Sequence, residues 1–228
     1  MVPHNFLGII ENVVIKTDGP ARQFLCGIRL LQDETRIHHV WVANCKKGIS
    51  LEGHCNSTSI TESLFWDNDF GIDIRGGASI RIQNNTFGNN SNAGIYVETN
   101  ASTGATAIFG LVISGNEMEG NGVGGTAKVL VNNSIYIKNN FHTPTDRLHD
   151  LVRGITISDN YLNLEGSKIS INGRPLQTPY KIPVGVSQVS EITFNRNVYK
   201  ANDFNNPNLL KIYTEGLTTD GTIPIPHE

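Results

Sequence analysis

The sequence predicts an all-β fold, a single-stranded right-handed parallel β-helix in which the chain winds as a solenoid of about 22 residues per coil. Three observations predict it. A Gly-Ile-x-aliphatic unit recurs at a nearly fixed interval, a second apolar unit carrying Asn lies between its copies, and the composition favours turns and short strands.

The first unit reads Gly27-Ile28-Arg29-Leu30, Gly48-Ile49-Ser50-Leu51, Gly71-Ile72-Asp73-Ile74 and Gly94-Ile95-Tyr96-Val97, at steps of 21, 23 and 23 residues. Each copy is a short strand whose alternate residues point inward. An antiparallel sandwich is the competing architecture, but it does not naturally explain a fixed period of this length.

The second unit places an aliphatic or aromatic residue three positions before Asn and five before another apolar residue. Ile82, Asn85, Phe87 fit it, as do Ile113, Asn116, Met118, then Ile157, Asn160, Leu162 and Phe194, Asn197, Tyr199. Ile60, Ser63, Phe65 fit with Ser in place of Asn, whereas Val42, Cys45 and Ile137, Asn140 match the first two places only. With coils stacked about 4.8 Å apart, these Asn residues fall into one column and form a ladder. Each amide then donates to one neighbour and accepts from the other at a tight inner turn, with Ser63 and Cys45 as small substitutes.

Composition bounds the rest. Charged residues are 17% of the chain, Gly numbers 23, and Asn pairs such as Asn84-Asn85 and Asn89-Asn90 punctuate it. A net charge of -3 supplies no basic field for phosphates, so nucleic acid is excluded as a general partner. No apolar run is long enough to span a membrane, and the start of the chain carries no export signal. Cys26, Cys45 and Cys55 lack zinc or redox spacing and are expected as free thiols. No cofactor or metal is expected.

Breaks in the period are read as loops on one face, at residues 98 to 107, 119 to 126, 142 to 151 and 172 to 183. Residues 1-200 are therefore assigned to the β-helix and residues 201-228, where the pattern is lost, to a C-terminal tail or cap. Asn5-Phe6-Leu7-Gly8-Ile9-Ile10 already reads as coil sequence, which suggests an excised segment or assembly with other chains.

These units resemble the repeats of the pectate-lyase-like superfamily, which includes polysaccharide hydrolases, lyases, epimerases and phage tailspikes. The resemblance covers roughly residues 6 to 199. It implies an extracellular polysaccharide as partner, an extracellular or virion-associated location, and trimeric packing of the tailspike kind. The catalytic motifs of the superfamily are not matched: Gly53-His54 is followed by Cys55 where polygalacturonase-like enzymes carry Gly-His-Gly. One scaffold also carries many activities. Two functional readings follow, a protein that binds glycan, with or without cleaving it, and a non-catalytic structural or adhesin segment of a larger assembly.

Aligned coils give the outward columns Arg29, Ser50, Asp73, Tyr96 and Leu31, Glu52, Arg75, Glu98. A third column is read as Trp41, Ser59, Arg81, Tyr136 and Thr156. Sugar cleavage needs an acid and a base or nucleophile at a set distance, or a cation and a base beside an acidic sugar. Asp73 and Glu52, with Cβ atoms about 8 Å apart from strand rise and spacing, are the candidate catalytic pair. Arg75, Arg81, Tyr96, Glu98 and Trp41 are the candidate substrate contacts, with Tyr96 as a stacking platform. A surface ion-pair ladder running through Arg75 is the competing reading of the same charges. Asp67 and Asp69 are read as a solvated turn rather than a calcium site. His38, His39 and His54 are assigned turn or surface packing, since no metal-ligand spacing accompanies them.

Overall fold

The computed structural model describes residues 8–19, 24–99, 108–123, 133–139, 152–163, 168–172, 189–199 and 213–215. They form three parallel sheets, of nine, seven and seven strands, and no helix. Each coil contributes to the three in turn. The second coil runs Thr35–His38 in sheet 1, Trp41–Ala43 in sheet 2 and Cys45–Leu51 in sheet 3.

The inward residues form unbroken files. Sheet 1 stacks Ile37, Ile60, Ile82, Ile113 and Ile157, and sheet 2 stacks Val42, Phe65, Phe87, Met118 and Leu162. Sheet 3 stacks Ile49, Ile72, Ile95 and Ile135. All are fully buried and together make one core. Phe65 and Phe87 stack with ring centres 5.1 Å apart. The glycine of the first unit has a packing cause. A Cβ on Gly48 or Gly71 would lie 2.5 Å from the carbonyl oxygen of the next glycine in the file, so any side chain there would push the coils apart.

The expected ladder is present at the corner between sheets 1 and 2. Asn85, Asn116, Asn160 and Asn197 stand in one file, and Ser63 accepts its place in the coil before them. The Nδ2 of Asn85, Asn116 and Asn160 donates to the Oδ1 of the next Asn, and all four amides donate to a carbonyl in the preceding coil, as Asn116 does to Ile82 O at 3.0 Å. Cys45 is not in this file. It belongs to a second ladder, between sheets 2 and 3, in which Asn68, Asn90 and Asn121 repeat the same bonds and Cys45 N donates to Asn68 Oδ1 at 2.9 Å. Asp67-Asn68-Asp69 is therefore a turn whose central residue is a rung, and Asp69 accepts from Ser91 Oγ at 2.9 Å.

Ladder partners are 22 or 23 residues apart in the early coils and 31, 44 and 37 apart later. The insertions thus lengthen individual coils without interrupting either core or ladder. The first expected break begins later than residue 98, because the strand Ala93–Thr99 continues through it. Asn121 in the second expected break is a ladder rung. Residues 142 to 151 and 173 to 183 lie outside the described residues, as does most of 201-228, where Tyr213–Glu215 pairs with Lys168–Asn172 as a further strand of sheet 3. The cysteines are free thiols, and burial pushes those of Cys26 and Cys55 up to about 11. Among the described residues no helix is long and apolar enough to cross a membrane.

Candidate functional site

Strand register brings two of the expected columns together on the outer face of sheet 3. Arg29, Ser50, Asp73, Tyr96 and Tyr136 form one file. Glu52, Arg75 and Glu98 lie two residues further along their chains, beside it.

Charges on this face hold one another across four coils. Arg29 Nη2 lies 2.5 Å from Glu52 Oε2, and Ser50 Oγ donates to Glu52 Oε1 at 2.9 Å. Lys47 Nζ stands 2.5 Å from Asp73 Oδ2 and 3.9 Å from Glu52 Oε1, so one ammonium bridges the two candidate catalytic carboxylates. Arg75 Nε is 2.7 Å from Asp73 Oδ1, and its other nitrogen is paired with Glu98. Asp73 is completely buried and its oxygens are ion-paired without well-angled hydrogen bonds. Such a carboxylate would be costly to bury alone, and two adjacent cations offset that cost.

Burial alone would raise the Glu52 carboxyl. The hydrogen bonds from Arg29 and Ser50, with the charges of Arg29 and Lys47, outweigh it and hold Glu52 below the usual carboxylate range. Burial, then the charge and hydrogen bond of Glu98, push the Tyr96 phenol far up. Tyr96 therefore stays neutral and donates to Glu98 Oε2 at 2.9 Å.

Tyr96 does not offer a bare ring. It is 6% exposed, stacked on Tyr136 at 5.6 Å, tilted against Phe70 at 4.9 Å, and covered by the Arg75 guanidinium at 5.1 Å. Its contribution to the surface is to fix Arg75 and Glu98 from below.

The third expected column does not exist as one file. Ser59, Arg81 and Thr156 share a file in sheet 1, with Val112 between the last two, Trp41 is in sheet 2, and Tyr136 is in sheet 3 beside Tyr96. The physical reason is that each coil turns a corner between every two of the three sheets, so residues that look equivalent along the chain face different sides. Trp41 and Arg81 are exposed on their own sheets, and Lys16 Nζ lies 5.6 Å from the Trp41 ring. Sequence reasoning missed Lys47, the bridge between the two carboxylates. It precedes the Gly48-Ile49 pair from which outward positions were counted.

A family model described as "Right handed beta helix region" matches residues 7–142. No curated protein matches the chain. A solved structure, the crystal structure of alginate lyase from Paenibacillus sp. str. FPU-7, is similar to it at 17% identity and a TM-score of 0.42, over 82% of this chain and 78% of that one.

Proposed function

The chain belongs to the right-handed β-helix family, and from that premise we propose that the outer face of sheet 3 is a polysaccharide-binding surface. The supporting observation is the charge network from Arg29 to Glu98. It sets donors and acceptors at successive rungs about 4.8 Å apart along a straight, rigid track. A repeating track suits a polymer bearing hydroxyls and carboxylates better than a compact ligand, and pre-paired side chains lose little freedom on binding. The resemblance of the repeats to pectate-lyase-like proteins points to the same polymer class.

Arg29, Lys47, Glu52 and Arg75, which are partly exposed, are assigned the direct contacts. Asp73, Tyr96 and Glu98 hold them in place. Trp41 and Arg81 fall outside this surface. An extracellular or virion-associated setting and trimeric assembly belong to this reading as proposals.

Cleavage is the second reading, favoured by one observation. Asp73 lies between two cations, Lys47 and Arg75, on the same face as a second carboxylate, Glu52. An acidic sugar drawing those cations toward its own carboxylate would release Asp73 as a base. The test is a screen of the purified protein against bacterial capsular and plant acidic polysaccharides, following retention, reducing ends and absorbance of unsaturated products. Retention without product supports the binding reading, and product supports cleavage and identifies lyase or hydrolase. A protein retained by none of these polymers contradicts both.

A further inference from the structure

The chain spacing of His38 and His39 offers no metal-ligand motif, but the fold brings a third donor from the next coil. At the corner between sheets 1 and 2, His39 Nε2 lies 2.8 Å from Glu62 Oε2 and His38 Nε2 lies 3.9 Å from the same oxygen. The imidazole centres are 3.7 Å apart, and one donor atom from each of the three side chains fits within 4.8 Å of the others. We propose that His38, His39 and Glu62 form a binding site for a divalent transition metal, zinc above all, which fastens the second coil to the third.

The donor set fits that class of ion. Two imidazoles and a carboxylate are ligands zinc accepts, whereas calcium and magnesium prefer all-oxygen shells. Donors about 2.0 to 2.1 Å from a tetrahedral zinc stand about 3.3 Å from one another, and the two distances to Glu62 fall on either side of that value. The cluster is open to solvent, so an ion has access without rearrangement. The fourth position is left to water or to Glu11, the register partner of His38 in the first coil.

An outer partner is also in place. His38 Nδ1 lies 3.0 Å from Thr61 Oγ1, a contact that orients the ring and leaves Nε2 as the donor facing Glu62.

The backbone at this corner adds a separate argument. His39 and Glu62 have φ of 50° and 49°, in a left-handed column shared with Asn12, Asn84, Gly115, Asp159 and Arg196. Gly, and after it Asn, Asp and His, enter that conformation more readily than Glu and Arg do. Arg196 has a local compensation, an ion pair with Asp159 one coil away. Glu62 has its partner in His39 of the coil before, and among the described residues of this column only Glu62 has a second imidazole converging on the same carboxylate oxygen.

The test is equilibrium dialysis of the full chain, first stripped with a chelator, against zinc chloride. Saturable uptake of one zinc per chain is expected, with a shell of nitrogen and oxygen only by X-ray absorption. Thr61→Val should weaken binding by about tenfold, as loss of an outer partner typically does, and Glu62→Gln and His39→Asn by at least as much. Asn accepts the left-handed backbone at position 39, so His39→Asn should keep the wild-type circular dichroism spectrum. Cys26→Ser should bind as wild type does, which separates this site from thiol binding. No saturable uptake, sulfur in the shell, or wild-type affinity in folded Glu62→Gln and His39→Asn would overturn the proposal and reduce the cluster to a histidine–glutamate ion pair.

Discussion

Asn116 Oδ1 accepts two hydrogen bonds from Asn85, one from its backbone N–H at 3.0 Å and one from its side-chain amide at 3.1 Å. Both residues are buried, so water cannot replace either bond if the rung is removed. The same double contact recurs from Asn116 to Asn160 and from Asn160 to Asn197.

Asn116→Leu is expected to destabilise the chain by about 3 to 5 kcal/mol, because it takes the acceptor from the buried Asn85 backbone N–H and removes the side-chain amide bonds to Asn85, Asn160 and the Ile82 carbonyl. The check is the denaturant midpoint at unchanged slope. A midpoint equal to wild type would show that the ladder adds nothing to stability.

This first ladder was legible in the sequence because the Ile-x-x-Asn-x-apolar unit names both the rung and the two inward residues around it. The second carried the same signal, since Phe65, Phe87 and Met118 each precede a rung, Asn68, Asn90 and Asn121, by three residues. Its first rung is less distinct in sequence, because Asn68 sits between Asp67 and Asp69, a polar run that equally fits a solvated turn. The Asp73 and Glu52 face was legible for the same reason as the core, a fixed register along sheet 3. Trp41 and Arg81 were misplaced because a linear repeat does not reveal at which residue the chain turns a corner. The pairing of His39 with Glu62 follows the 23-residue step of the neighbouring coils, yet nothing in the chain marks which equivalent side chains reach across.

Gly88 is covered by the Trp66 indole, whose ring atoms would lie 2.1 Å from an added Cβ. Gly88→Ala should cost about 1 to 3 kcal/mol through displacement of that ring. Gly88→Ala in a Trp66→Leu background should cost clearly less, and a thermal-unfolding double-mutant cycle measures the difference. Equal costs in both backgrounds would mean the indole is not the obstacle.

Arg75→Met removes one of the two cations beside the buried Asp73 carboxylate and is expected to destabilise by about 3 kcal/mol. Adding Asp73→Asn should recover part of that loss, since the charge that needed a partner is gone. Strict additivity of the two substitutions in urea unfolding would rule out the coupling.

Glu52 has a folded-state pKa below its ordinary value of 4.5, so a proton binds the unfolded chain more readily than the folded one. Its contribution to stability is therefore complete above the unfolded value and disappears as pH falls through the lower, folded value. The stability gap between wild type and Glu52→Gln should be present at neutral pH and shrink as pH falls below 4.5. A gap that widens on acidification would reverse the sign and contradict the pairing with Arg29.

The most direct measurement of the proposed surface is the affinity of variants for whichever polysaccharide the wild type retains, read by titration calorimetry alongside circular dichroism. Arg29→Gln combined with Glu52→Gln should weaken binding by about tenfold or more, equivalent to about 1.4 kcal/mol, with the fold intact. Trp41→Ala and Arg81→Ala, on the other two sheets, should bind as wild type does. The opposite pattern, affinity untouched by the sheet 3 substitutions and lost with Trp41 or Arg81, would place the glycan elsewhere on the helix and contradict the assignment.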